Sequence, residues 1–334
     1  MKMQLHQKFS GQYKVEVRGA DGQIKFESGY FFNLITDAFF EGWLGNPGGL
    51  NRSRGGMFSY CAVGTGVATP AFGDTTITQL GVRAAVFSDS PSRVSRAFTN
   101  TIQYRWNPSD IIGTISEVGI YSAGTGGTLS SRSLIKDVGG TPTSITLVSG
   151  DVLYVTWRIT NTLPAGDVLG VVNIAGIDYN YVIRPANIGT LADSFAGIVS
   201  PFMPSCPQSA PTNPNGQGAG YIVACAASTQ SLAADTSNLT GINGNSGAHS
   251  GAYAMSTYVS SSKQIKSTFD FSIGTGNTAG GIGSIFLGNV HIFGVCDTST
   301  GGYQMTFAAV SGGAPIPKDN TKVFRIAFIY SFGR

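Results

Sequence analysis

The chain has 334 residues, of which only 12% are charged, and its 21 Lys+Arg against 18 Asp+Glu leave a net charge of +3. Sparse charge beside 42% hydrophobic residues excludes a disordered chain, and 46 glycines without a G-X-Y period exclude collagen. So small a net charge offers no footprint for nucleic acid or an anionic membrane. No stretch reaches the roughly 18 to 20 apolar residues of a membrane helix, so no membrane insertion is expected.

In chain order, Met1–Lys8 carries no apolar h-region, so no secretory signal is expected, and His6 is read as part of a tail. Gln12–Arg18 alternates polar and apolar, passes through the Asp21-Gly22 turn, and resumes alternation over Gln23–Glu27: a β-hairpin. Thr36–Leu44 reads as a short helix opened by a capping Thr. Ser144–Val148 and Val152–Ile159 read as strands about the turn Ser149-Gly150-Asp151. Thr190–Ile198 is a second short helix opened by Thr190. Lys322–Tyr330 is rich in aromatic and branched residues, as strands prefer. Many short strands with Gly-rich turns predict an all-β protein of antiparallel β-sandwiches.

A weak, ordered internal similarity suggests two tandem related sandwiches, each with one short helix. Gly22, Asn33, Thr36 and Ala38 align without gaps on Gly176, Asn187, Thr190 and Ala192. Later matches, among them Ile112–Ile115 on Ile282–Ile285 and Val152–Ile159 on Val323–Tyr330, keep their order with a rising offset. Chance similarity among glycine-rich strands is the alternative. The reading divides the chain into 1–162 and 163–334, with the boundary near Asn161–Gly166. A long Pro/Gly-rich loop at about 200–220 decorates the second part, and such loops are usually functional or assembly contacts.

Chemistry-bearing motifs are sparse. Cys61, Cys206, Cys225 and Cys296 lack metal or redox spacing and read as buried thiols, with a Cys206–Cys225 bridge left open. His6, His249 and His291 show no metal-ligand spacing. Neither a phosphate loop nor a nucleophile elbow is present, and Gly64-Thr65-Gly66 and Gly274-Thr275-Gly276 read as turns. Asp151, Asp167, Asp178, Asp235, Asp270 and Asp297 show no spacing that pairs two as a glycosidase requires, and several sit at turns. No cofactor, no metal and no catalytic residue are expected, so the chain is not read as an enzyme. Glu117 interrupts an apolar strand; alternation favours its pointing outward, and the other reading pairs it with Arg132. Arg83, Arg93, Arg96 and Arg105 are either a subunit contact or a solvated strand face. Tyr30, Phe31, Phe39, Phe40 and Trp43 are either core or an interface patch. Tyr253, Tyr258 and Tyr303 are candidate sugar platforms should the chain be a carbohydrate-binding module.

Several segments resemble a known family. Gly29–Asp37 resembles the W/F-x-N-L-I-T-D stretch near the start of many tail-fibre and virion proteins of tailed bacteriophages. Val63–Gly66 followed by Thr69-Pro70 and Asp74-Thr75 is similar to the segment that follows it there. Ile115–Ile120 and Leu129–Ile135 are similar to that family's I-x-E-V-G and L-x-S-R-A strands, and Ile316–Lys318 through Phe332–Arg334 resembles its endings. The resemblance covers roughly 10–160 well and 260–334 loosely, and leaves 165–255 unmatched. It implies a virion structural protein, most simply a tail fibre or tail appendage, made in the host cytoplasm and assembled as a homo-oligomer, with a trimer favoured. Its implied partners are further copies of itself, other tail or head proteins, and a host surface glycan. Capsid decoration, as a head fibre, is the alternative within that family.

Overall fold

Strand β1 (Lys2–Arg18) sets the frame, because every second residue along its 17 positions is turned inward. The stretch read as a tail is therefore half of a strand: Met3 and Leu5 are 1% and 0% exposed, but two apolar residues are too few to display a period. His6, on the outward face, has its Nδ1 within 3.0 Å of Ser331 Oγ. This is a computed structural model, and it describes residues 2–44, 57–186, 223–226, 234, 252–255, 258–271, 273–274, 277, 280–287 and 302–334.

After β1 come β2 (Ile24–Glu27), β3 (Phe31–Phe32), β4 (Leu34–Ile35), helix α1 (Asp37–Leu44), β5 (Tyr60–Gly64), β6 (Ala84–Val94) and β7 (Ala97–Trp106). Then follow β8 (Gly113–Ile115), β9 (Glu117–Tyr121), β10 (Leu129–Leu134), β11 (Ile145–Leu147) and β12 (Val152–Thr162). The remaining strands are β13 (Val168–Ile174), β14 (Ile177–Ala186), β15 (Val223–Ala226), β16 (Ala252–Met255), β17 (Gln264–Phe271), β18 (Ser284–Leu287), β19 (Gly302–Ala309) and β20 (Phe324–Gly333). The protein is all-β. The expected helix at 36–44 is present as α1; the one at 190–198 lies outside the described residues.

The largest sheet has 13 strands, in the order β16-β17-β20-β1-β12-β7-β6-β5-β9-β10-β4, with β2 and β3 also pairing with β1. It curls until its far end returns to its centre, where the Asn33 amide donates to Gly11 O at 3.1 Å. The expected hairpin 12–27 forms as β1 with β2. The two strands around Ser149-Gly150-Asp151 do not pair with each other: β11 pairs with β8, and β12 runs antiparallel to β1 from Lys8↔Thr162 to Arg18↔Val152. A five-stranded sheet has the order β13-β14-β19-β18-β15.

Strands from both sides of residue 162 share the largest sheet, because β20 lies parallel to β1 from Lys2↔Ala327 to Lys8↔Gly333. The expected boundary segment is itself clamped. Arg96 donates to Pro164 O at 2.7 Å and to Gly166 O at 2.6 Å, and Arg184 holds Asp167 through two bonds of 2.8 and 2.7 Å. One cluster of buried apolar residues runs from Met3 and Phe9 through Trp157 to Ile285, Phe307 and Phe332. Each such side chain contributes about 1.5 to 3 kcal/mol on removal from water.

Helix α1 is fixed to this core by its N-cap and its buried face. Thr36 Oγ1 accepts the Phe39 amide at 3.2 Å, an N-cap, and donates to Leu129 O at 2.5 Å. Phe39 and Phe40 are fully buried and pack edge-on against Phe9, at 5.6 and 6.1 Å between ring centroids.

Candidate functional site

Residues from three separated stretches meet where the loop after β5 folds over β9 and β10. Strand β9 is buried at all five positions, so it has no outward face. Alternation fails here because the loop covers the side that would otherwise meet solvent. Glu117 is 0% exposed, and the outward reading is corrected in favour of a pair with Arg132.

Glu117 Oε1 accepts the amides of Gly66 at 2.9 Å and Thr78 at 2.7 Å. Its Oε2 accepts Arg132 Nε at 2.8 Å and lies 2.7 Å from Nη2. Arg132 also donates to Asp74 Oδ2 at 2.6 Å and to Ala68 O at 3.1 Å. Asp74 Oδ2 in turn accepts the Ala71 amide at 2.9 Å. Burial by itself would raise the Asp74 carboxyl, but the Ala71 amide and the Arg132 guanidinium outweigh it and hold the pKa below the usual carboxylate value. Burial likewise works against the Arg132 charge, and the two carboxylates overcome it, so its pKa is raised.

Two glycines make this approach possible. A Cβ on Gly66 would collide with the Glu117 carboxylate, and one on Gly64 with Thr78 O. The chemistry follows from the geometry. The Glu117 carboxylate has both oxygens taken up by two amides and a guanidinium. It works as a clamp that ties residues 64–78 to the sheet.

A second network adjoins the first. Asn33 Nδ2 donates to Ser131 Oγ at 2.7 Å, and Trp157 Nε1 donates to Asn33 Oδ1 at 3.3 Å. The Tyr13 hydroxyl meets the same Ser131 Oγ at 2.5 Å. Gly11 leaves the room, since a Cβ there would strike the Asn33 amide. Asn33 thereby joins β1, β10 and β12.

Between the two networks lies a cleft of about 570 Å³, with Phe9, Ile35 and Leu134 among its apolar lining and Pro70 and Pro142 on its walls. Phe32 and Phe72 also line it and are 70% and 50% exposed. Its charged lining residues are Arg132, Lys136 and Arg334, all cations. Arg334 stacks on Phe72, with its guanidinium carbon 3.9 Å from the ring centroid, and pairs with Asp37. Asp37 also binds Lys263 at 2.9 Å. Burial would raise the Asp37 carboxyl, and the two cations reverse this to hold it low. Of the three cations, Arg132 and Arg334 are already paired with carboxylates.

The candidate interface residues divide. Phe31, Phe39 and Phe40 are 5%, 0% and 0% exposed and belong to the core, so the interface reading is corrected for them. Tyr30 is exposed, with the Arg158 guanidinium 3.7 Å from its ring centroid. The side chain of Trp43 lies outside the described residues. Among the candidate sugar platforms, Tyr303 is 1% exposed and has no face to offer a sugar, which corrects that reading. Tyr258 is partly buried with its hydroxyl on Glu41 at 2.8 Å, and burial together with that carboxylate pushes its pKa to about 12. The Tyr253 side chain lies outside the described residues.

The arginines do not form one cluster. Arg83 covers the Tyr121 ring at 3.5 Å, Arg105 lies between Phe87 and Tyr154, and Arg96 holds the 164–166 segment. Asp151 caps the Val148 amide at 3.0 Å and binds Lys25 at 2.8 Å. Cys61 is a buried free thiol whose pKa burial raises, while Cys206, Cys296 and the side chain of Cys225 lie outside the described residues. Among the described residues no His, Cys, Asp and Glu group has metal-site geometry, and no helix is long and apolar enough to cross a membrane. Comparison with protein-family models, with curated proteins and with solved structures finds no match to this chain.

Proposed function

We propose that the chain is a structural component of a tailed-bacteriophage particle, a tail fibre or tail appendage that assembles as an oligomer. One observation carries the reading. Asn33, Thr36, Asp74, Glu117 and Arg132, which lie in the segments that resemble virion proteins, come together as fixing groups rather than reactive ones. Their polar atoms bind one another, the backbone and buried side chains, as a building block requires when it must keep one shape under load. Sparse surface charge supports the same role, because neighbouring subunits then pack without desolvating many ions.

A second reading is supported by the cleft. Exposed Phe32 and Phe72 beside Lys136 offer aromatic faces for the C–H face of a sugar ring and a cation for an acid group, as an acidic host glycan carries. This fits a fibre that attaches to its host, and it moves the candidate glycan contacts from the tyrosines to the cleft. Capsid decoration is the competing location.

Gold labelling of intact particles with antibody against the purified chain tests the proposal. Label on the tail or its appendages is the expected result. Label over the head favours decoration, and particles that neither bind antibody nor contain the chain refute the virion role.

A further inference from the structure

Strand β13 is an edge of the five-stranded sheet and, among the described residues, pairs only with β14. Its register from Val168↔Ile183 to Ile174↔Ile177 is unbroken, and the two-residue turn Ala175-Gly176 has positive φ at both positions, 51° and 86°. Asn173 stiffens the hairpin by accepting the Gly176 amide at 3.1 Å and donating to Asp178 at 2.7 Å. Proteins shield such edges with lysine, proline, bulges or inward charge. Residues 168–174 carry none of these, and 168–177 hold no charge at all. Leu169 and Val171 are nevertheless 69% and 59% exposed, while Val168, Val172 and Ile174 pack against the core.

We propose that β13 pairs with β13 of a second copy of this chain, joining two five-stranded sheets into one continuous sheet across a two-fold axis. Hydrogen-bond parity selects the register. In a hairpin with a two-residue loop the flanking pair Ile174↔Ile177 is hydrogen-bonded, so Val168, Gly170, Val172 and Ile174 direct their amides and carbonyls to β14. Leu169, Val171 and Asn173 direct theirs to the free edge. An antiparallel match centred on Val171 sets Val171 against Val171 of the partner subunit, and Leu169 against Asn173 of the partner subunit. It satisfies the outward amides and carbonyls of all three residues and places the exposed apolar side chains on one face.

The charge pattern identifies the occupant. A two-fold axis brings each charge near its own copy, and an uncharged run is the sequence that tolerates this. The inference names the partner in the proposed assembly and rests on that oligomeric reading. An isologous contact makes a dimer, not the trimer implied by the resemblance.

Sedimentation velocity of the full chain across a range of concentrations tests it, comparing wild type with Val171→Lys, Val171→Pro and the control Val94→Lys. Val94 is 77% exposed on β6, a strand of the largest sheet and not of the five-stranded one. Wild type and Val94→Lys are expected to be dimers. Val171→Lys sets two ammonium groups opposite each other and should weaken the dimer at least about 100-fold with the melting temperature unchanged. Val171→Pro removes an edge amide and should act likewise. A wild-type dimer or trimer that all three substitutions leave intact overturns the β13 contact while oligomer assembly stands. A monomeric wild type at every concentration overturns both.

Discussion

Replacing Glu117 by Gln tests whether the buried clamp holds the loop or merely accompanies it. The change keeps the shape of the side chain and removes its charge. A carboxylate accepts on both oxygens, and here each oxygen has two donors: the Gly66 and Thr78 amides on one, Arg132 Nε and Nη2 on the other. A glutamine accepts on one side only. If its oxygen keeps the amides, its NH2 faces the guanidinium donor to donor; if it is flipped, two amides lose their acceptor. Either way two bonds are lost and Arg132, 6% exposed, keeps Asp74 alone of its two carboxylate partners. Breaking a buried ion pair from one side costs about 3 to 5 kcal/mol, a large share of a stability of about 5 to 15 kcal/mol. Urea unfolding followed by tryptophan fluorescence reads this out, since Trp106 and Trp157 are both buried. The double variant Glu117→Gln/Arg132→Met should recover about 2 kcal/mol, because the remaining glutamine keeps both amides with no cation opposite. A Glu117→Gln protein within about 0.5 kcal/mol of wild type would refute the reasoning, since ordinary surface changes fall in that range.

Gly66→Ala should destabilise by about 1 to 3 kcal/mol, because the added methyl overlaps the Glu117 carboxylate; an unchanged urea midpoint would show that the loop can shift aside. Asn100, 0% exposed with neither Oδ1 nor Nδ2 partnered among the described residues, should become more stabilising as Val by about 1 to 2 kcal/mol; a lower melting temperature would contradict this. Acid sensitivity follows from Asp151, held low first by Lys25, and Asp167, held low first by Arg184. Their folded pKa values lie below the unfolded carboxylate value of about 3.9, so their stabilisation is complete above that pH and lost as pH falls through the folded values. Melting temperature should therefore fall steeply below about pH 4, with a shallower fall in Asp151→Asn; a flat profile from pH 5 to 3 would refute it.

Strands were legible where one face is dry and the other wet. Whereas β20 was legible from its aromatic and branched residues, β1 beyond Gln12 and β12 show their period because inward and outward positions differ in chemistry. The same rule misplaced Glu117, since β9 is covered on both sides and alternation then carries no information about exposure. A signal was nonetheless present. Gly64, Gly66, Asp74, Glu117 and Arg132 are the residue types that a buried ion pair under a close backbone requires: two residues without a Cβ, two carboxylates and a guanidinium. Tyr303 was misread because a tyrosine in a strand looks alike whether its ring faces a sugar or the core, and β19, like β9, is covered on both faces around it. Pairing between distant strands left no local trace: nothing in Val152–Ile159 distinguishes β1 from β11 as its neighbour.

The strand order gives that distant pairing a consequence for the whole chain. β1 is bonded to β12 over 8–18 and to β20 over 2–8, so its two neighbours come from positions on either side of the expected boundary at 162. Phe9 sits at the changeover, packed against Phe39, Phe40 and Phe332. Helix α1 repeats the pattern in charge: Asp37 grips Lys263 and Arg334, and Glu41 accepts the Tyr258 hydroxyl and the Ser261 amide. Closing loops of about 300 residues costs chain entropy before any of these contacts forms. β20 covers part of the first part's core, since Phe332 packs on Phe9 beside the helix. Strands and counter-charges from beyond residue 162 thus complete the sheet and the helix built by residues before it.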